Sequence, residues 1–328
     1  MASKSSSRAS NATSRSQRIG VIGLGLMGQG IVACLLAHGH DVVGLDNDTK
    51  KAEETVTHAA AVLPELKRRK LMSAAAWIGW RKRFKSVLNL RDLKGCDIVL
   101  ECVGEDLALK RSIFVELDKI VSQRTIVASN TSSIPISLLQ AGRVKPERYI
   151  GMHWGEPAQI MRYLEIIPGK QTSKATVQRS LKFGIACGKE PAVLKQDIRG
   201  FLSNRMMYAM LREACYLVEA GIADVETVDQ SFRNDMGWWA LLAGPFRWMD
   251  LTGIPAYATV MEGVFPELSN APNVPEMMKK MVKRSAHGIA NQKGFYPYTK
   301  AEAKEWEQKW EQFTYEMRTI AERYTPTK

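Results

Sequence analysis

From residue 18 onward the chain alternates short apolar runs with helical stretches. RIGVIG (18–23) is an apolar run that ends in glycine. A helical stretch follows from Met27 to His38, and DVVGLD (41–46) returns to β-branched residues. Strand, helix and strand within about 30 residues is the length of one βαβ unit. Further buried strands are predicted at DIVLE (97–101), TIVAS (125–129), YIGMHW (149–154) and YLEIIP (163–168), with a helix starting near Asp106. Strands apolar on both faces and separated by helices predict an α/β protein with a doubly wound parallel sheet covered on both sides.

After Asp197 the β-branched runs disappear and apolar residues recur at helical spacing, as in Leu202, Met206, Met210, Ala214 and Leu217. The domain boundary is placed in the linker 196–200. This gives a basic tail at 1–17, a nucleotide-binding domain at 18–196 and an all-helical domain at 197–328. Glycine and proline break the helical part at 243–246, 253–255 and 294. Near the end, Trp306, Trp310, Phe313, Met317 and Ile320 form a narrow apolar stripe, expected to lie on its own domain, with a dimer seam as the alternative.

Composition fits two domains better than one: 328 residues, 45% hydrophobic, exceed what a single core usually fills. The net charge of +12 calls for an anionic partner. Cys34, Cys96, Cys102, Cys187 and Cys215 are scattered singly, with no CxxC pair and no histidine at zinc spacing. They read as buried apolar residues of a reducing compartment, so a cytoplasmic location and no metal site are expected. No apolar run is long enough to span a bilayer, so no membrane is expected. The Ser-rich, acid-free first 17 residues are read as a disordered tail, with organelle import as the alternative. Nothing resembles a recognition helix, an RNP motif or a zinc module, so no nucleic-acid partner is expected.

Gly23-Leu24-Gly25-Leu26-Met27-Gly28 follows the first strand and opens the first helix. In such a loop the glycines allow a tight turn, close approach to a pyrophosphate and close packing of helix on strand. The N–H groups at the helix start, around Leu26 and Met27, face the phosphates. Asp46 ends the second strand 23 residues after Gly23, near the spacing of the dinucleotide fingerprint. A carboxylate there accepts hydrogen bonds from the ribose hydroxyls and repels a 2′-phosphate, which selects NAD over NADP. The expected architecture is therefore Rossmann-type, followed by the helical domain.

Polar residues also stand at the ends of the apolar strands, where a doubly wound sheet places its ligands. They are Glu105, Ser129-Asn130-Thr131-Ser132-Ser133, His153 and Glu165, with Asn204 just past the linker. Singly, each has a plain explanation as a helix cap or a satisfied structural group.

Together, these segments resemble the L-3-hydroxyacyl-CoA dehydrogenase family from Arg18 to about Tyr298. The resemblance rests on GLGLMGQGI, SNTSSI (129–134), GMHW (151–154), LEIIPG (164–169), DIRGFLSNR (197–205) and GPFRWMDLTG (244–253). It implies His153 as general base, Glu165 as the carboxylate that orients it, Ser132 as a substrate contact and Asn204 as the amide near the reacting oxygen. It also implies that Glu105 and Lys110 form a cofactor-side pair, that Asn130 belongs to the cofactor site, and that the chain forms a homodimer through the helical domain. The reaction implied is oxidation of a secondary alcohol, L-3-hydroxyacyl-CoA, with hydride transfer to NAD.

The sequence departs from the family pattern mainly on the substrate side. After the histidine the family usually carries two aromatics and Asn-Pro, but here the run is His153-Trp154-Gly155-Glu156-Pro157. GMHW and the longer segment before GPF, with Trp238 and Trp239, look more like the branch that acts on free hydroxy acids or small alcohols. Against this, Lys67, Arg68, Arg69, Lys70, Arg81, Lys82, Arg83 and Lys85, with Trp77 and Trp80 between them, suit a CoA phosphate and adenine or a solvated face. The small-molecule substrate therefore stays open between acyl-CoA and a free hydroxy acid. A catalytically silent nucleotide-binding relative is the alternative of another class.

Overall fold

The computed structural model describes residues 16–324. The chain parts into two compact units between Phe201 and Leu202, five residues past the linker's first residue. Most of the 1–17 tail lies outside the described residues. Its last members do not behave as a tail: the Gln17 carbonyl accepts the Asp41 N–H at 3.0 Å and the Gln17 N–H donates to His40 Nδ1 at 3.3 Å.

The first unit runs β1 (Arg18–Ile22), α1 (Leu26–Ala37), β2 (Asp41–Leu45), α2 (Lys50–Arg68), α3 (Ala74–Trp77), β3 (Phe84–Val87), β4 (Ile98–Glu101), α4 (Leu107–Ile120), β5 (Ile126–Ser129), α5 (Ile136–Gln140), β6 (Tyr149–Trp154), β7 (Tyr163–Pro168), α6 (Lys174–Ala186) and β8 (Glu190–Val193). The strands form one sheet in the order β3-β2-β1-β4-β5-β6-β7-β8. The winding reverses between β1 and β4, which opens a crevice at their carboxyl ends. Apolar residues on both faces of β4, β5 and β6 account for the central position of these strands, whose residues are all buried.

One pairing differs from the all-parallel expectation: β7 runs antiparallel to β6. Only residues 155–162 connect the two strands, too few for the crossover that parallel neighbours need. In the resulting register His153 lies directly opposite Glu165. Two strands, β3 (FKSV) and β8 (EPAV), were not expected from the sequence; both are edge strands, short and largely exposed.

The second unit consists of α7 (Ser203–Glu219), α8 (Val225–Asn234), α9 (Met236–Trp239), α10 (Gly244–Thr252), α11 (Ile254–Val264), α12 (Glu276–Lys283) and α13 (Lys300–Tyr324). Two of the three expected breaks are helix starts, with Pro245 in the first turn of α10 and Pro255 in that of α11, while Gly294 lies in a bend ahead of α13. Along α13 the large apolar stripe is not the covered face. Trp306, Trp310 and Phe313 are about half exposed, while Ala303, Thr314, Tyr315 and Ala321 are buried. Trp310 and Phe313 instead pack on each other, ring centroids 6.4 Å apart.

Candidate active site

The glycine loop has the geometry its sequence requires. Gly23 has φ +88°, and a Cβ there would stand 2.9 Å from the Cys102 carbonyl and the Val103 nitrogen. A Cβ on Gly28 would lie 2.0 Å from the Gly23 oxygen, so loop and helix meet as backbone on backbone. Gly25 faces open space at the start of α1, the room a pyrophosphate takes. Leu26 and Met27 form the first turn behind it. Asp46 is tied to the loop, its Oδ2 accepting the Leu24 N–H at 2.7 Å and its Oδ1 the Asp48 N–H at 2.9 Å. Gly23, Gly25, Asp46 and Asn47 line a cavity of about 470 Å³, with Val103 and Leu109 also on its wall. These residues fit a dinucleotide of the NAD type.

A buried charge cluster, larger than the pair expected, lies next to this cavity. Lys110, 1% exposed, places Nζ 2.7 Å from Glu101 Oε1, 3.1 Å from the Val103 carbonyl and 3.6 Å from Glu105 Oε2. Glu101 also accepts the Ser129 hydroxyl at 2.6 Å and the Val103 N–H at 2.7 Å. Burial pushes the Glu101 carboxyl above the usual carboxylate range, with Lys110 opposing it. Glu105 organises the turn after β5: its Oε1 accepts the Thr131 hydroxyl at 2.5 Å, the Ser132 N–H at 3.1 Å and the Ser133 N–H at 2.9 Å. Burial raises the Glu105 carboxyl, but the Thr131 hydroxyl, Lys110 and Ser133 outweigh it, and its pKa lies below the ordinary value. Ser132 is thereby fixed through its backbone on an exposed turn. Glu101 escaped the sequence reading because it closes an apolar strand like any terminal residue; its one signal was a carboxylate inside DIVLE.

The candidate chemical centre sits on the antiparallel pair. His153 Nδ1 lies 3.0 Å from Glu165 Oε2, with the carboxylate 1% exposed and the histidine 9%. A carboxylate acceptor on Nδ1 keeps the proton there and leaves Nε2 as the basic nitrogen. The Tyr163 hydroxyl meets the same Nδ1 at 3.3 Å, and the two rings stand edge to face at 88°. Phe201 flanks the histidine from the linker, centroids 5.9 Å apart, from a left-handed backbone at φ +51°. The linker is held in turn by Asp197, which accepts the Ser137 N–H at 2.5 Å and hydroxyl at 3.0 Å.

Asn130 has a task the sequence did not indicate. Its Oδ1 accepts the Trp154 N–H at 2.9 Å, so the end of β5 holds the residue after the histidine. Glu156 is the second residue of the β6–β7 connection, and partial burial raises its carboxyl pKa. Asn204 belongs to the second unit, in the first turn of α7, and is not part of what the first unit builds by itself.

The basic segment is largely engaged with its own surroundings. Arg68 and Arg69 bind Glu65, each Nε–O distance 2.5 to 2.7 Å, and hold its carboxyl down at about 2. Lys67 lies 4.6 Å above the Trp77 ring and Arg81 4.5 Å above Trp80, while Arg83 donates to the carbonyls of Ala76 and Ile78. Both tryptophans thus carry a cation of the chain itself.

Residues 18–198 match the family described as 3-hydroxyacyl-CoA dehydrogenase, NAD binding domain, and residues 200–298 match the C-terminal domain of the same family. A 5-formyl-3-hydroxy-2-methylpyridine 4-carboxylate 5-dehydrogenase of Mesorhizobium japonicum is 35% identical over 88% of this chain and 93% of its own length. A 3-hydroxybutyryl-CoA dehydrogenase of Bradyrhizobium diazoefficiens is 32% identical over 86% of this chain and 95% of its own. Among solved structures, an NAD+-dependent 5-formyl-3-hydroxy-2-methylpyridine 4-carboxylic acid 5-dehydrogenase superposes with a TM-score of 0.88, at 32% identity, over 94% of this chain and 99% of that one. A (S)-3-hydroxybutyryl-CoA dehydrogenase from Ralstonia eutropha gives 0.70 at 31% identity, over 86% and 99%.

Proposed function

This chain belongs to the 3-hydroxyacyl-CoA dehydrogenase family and is an NAD-dependent dehydrogenase acting on hydroxyl groups, and from that premise we propose that its His153–Glu165 pair oxidises a small hydroxy compound that carries no CoA. The observation that carries the catalytic part is the buried 3.0 Å contact between His153 Nδ1 and Glu165 Oε2. Bound NAD supplies the acceptor for the carbinol hydrogen, which leaves as hydride. His153 Nε2 takes the hydroxyl proton as the carbonyl forms, and Glu165 steadies the resulting imidazolium. On the first unit Ser132 contacts the substrate, and Gly23, Gly25, Leu26, Met27, Gly28, Asp46, Glu105, Lys110 and Asn130 form the cofactor side, Asn130 acting through the Trp154 backbone. In the reverse direction the same histidine returns the proton.

The substrate part rests on the basic segment. With Lys67, Arg68, Arg69, Arg81 and Arg83 held by Trp77, Glu65, Trp80 and two carbonyls, few of the cations counted in the sequence remain for a CoA phosphate. A second reading, L-3-hydroxyacyl-CoA oxidation, is favoured by the 3-hydroxybutyryl-CoA dehydrogenases matched over nearly their whole length. Following NADH absorbance with free 3-oxo acids and small aromatic hydroxy acids, then with acetoacetyl-CoA, separates the two. Turnover of free acids is expected; activity confined to the CoA ester, and lost when Lys70, Lys82 and Lys85 are neutralised, would establish the second reading.

We also propose a homodimer through the second unit, in the cytoplasm. Helices α7 to α12 bury none of their residues within the chain, and Met206, Tyr208, Phe246, Leu251 and Ile254 are 58 to 79% exposed. So many exposed large apolar residues on one unit are what a symmetric partner would cover. Sedimentation velocity should give twice the chain mass. None of the five cysteines forms a disulfide, as in a reducing compartment, and no helix of the described residues is long and apolar enough to cross a membrane.

A further inference from the structure

One departure from the family pattern meets an aromatic side chain across the β6–β7 pair. The residue two after the histidine is Gly155, where the family usually has an aromatic, and an aromatic stands at Tyr163. In space they touch: a Cβ on Gly155 would lie 2.9 Å from Tyr163 Cδ1 and 3.2 Å from its Cβ. Tyr163 and Glu165 are two apart on β7 and share a face, and His153 is directly opposite Glu165 on β6. The Tyr163 hydroxyl therefore reaches Nδ1 at 3.3 Å alongside the Glu165 oxygen at 3.0 Å.

We propose that Tyr163 is a positioning residue for the His153 base, and that Gly155 is the residue that makes room for it. The proposal rests on His153 being the general base. With the proton on Nδ1, Glu165 is its main acceptor and the phenol oxygen a second one. Two oxygens on one N–H fix the plane of the imidazole and its tautomer, and both favour the imidazolium that forms during turnover. Among the described residues, Glu165 and Tyr163 are the titratable groups in contact with the ring; Phe201 covers it with an apolar face. Nearby Lys189 is turned to the carbonyls of Ala158 and Met161 and to the Trp154 ring.

Two variants test this from opposite sides. Tyr163→Phe removes the hydroxyl and keeps the ring; Gly155→Ala keeps the hydroxyl and displaces the ring. Each should lower kcat roughly three- to tenfold, the weight of one neutral hydrogen bond, and move the acid limb of the kcat profile down by about half a unit. KM for NAD should stay unchanged. The double variant should resemble either single one, because both break the same contact. A second readout needs no substrate: the His153 ring signal of the resting protein, identified by its loss in His153→Gln, should titrate at lower pH in both variants. If no substrate is turned over, the functional reading fails while the ring titration still decides the role of Tyr163. Unchanged ring titration and acid limb in Tyr163→Phe, or fully additive losses in the double variant, would overturn the proposal.

Discussion

The ammonium of Lys110 lies 2.7 Å from Glu101 Oε1, and neither side chain is more than 1% exposed. This pair joins the first turns of α4 to the end of β4, beside the cavity at the glycine loop. Its third member, Glu105, ties it to the turn that carries Ser132. Charge buried to this degree persists only when paired, so the cluster is sensitive to the loss of one partner.

Lys110→Met leaves Glu101 as an uncompensated carboxylate in the interior. Breaking a buried pair in this way costs about 3 to 5 kcal/mol. Urea unfolding should show a loss of that size, and Glu101→Gln combined with Lys110→Met should recover part of it. Equal stability of Lys110→Met and the parent protein would mean that the ammonium is not held as described.

His153→Gln and Glu165→Gln should both abolish most turnover, by about 100- to 10,000-fold, the usual weight of a positioned general base. NAD affinity measured by calorimetry should change little, because the pair lies on β6 and β7 and the glycine loop lies between β1 and α1. Near-parental kcat in either variant would exclude the His153–Glu165 mechanism.

Asp46→Ala removes the carboxylate we propose as the ribose acceptor, together with its tie to the Leu24 N–H. NAD binding should weaken about tenfold, and preference over NADP should fall by more, since the carboxylate that repels a 2′-phosphate is gone. The ratio of the two dissociation constants checks this. An unchanged ratio would show that cofactor choice is made elsewhere.

The parts of this fold and site that were legible in the sequence are those set by local patterns. Gly23 and Gly28 reveal themselves because only glycine tolerates the turn and the close backbone contacts they make, and Gly25 because the motif spacing places it at the open start of α1. β4, β5 and β6 reveal themselves because burial on both faces demands unbroken apolar runs. What the sequence hid depends on register and on partners. Edge strands β3 and β8 need no apolar pattern. Tyr163 gains its role only once β7 turns back on β6, and Phe201 only through a left-handed backbone after Gly200. The basic segment was visible as charge, yet the Glu65, Trp77 and Trp80 partners that engage it are visible only in space.

His40 predicts how stability depends on pH. It is 1% exposed; its Nδ1 accepts the Gln17 N–H at 3.3 Å, and its Nε2 is 3.8 Å from Cys187 Sγ. Burial, aided by the neighbouring His38, lowers its pKa from 6.5 to about 4. Between these values the unfolded chain binds a proton that the folded one does not. The contribution is therefore fully present above pH 6.5 and declines as pH falls, until below about 4 it is gone. It amounts to about 3 kcal/mol. His58, also lowered by burial, acts in the same direction, whereas His38, burial notwithstanding, is held above its ordinary value through Cys34 and acts in the opposite one. The difference between the parent and His40→Gln isolates the His40 share, because the other groups are common to both. Urea unfolding at pH 7.5 and at pH about 5 should show a steeper loss for the parent. Parallel losses in the two proteins would mean that His40 takes up its proton in the folded state as readily as in the unfolded one.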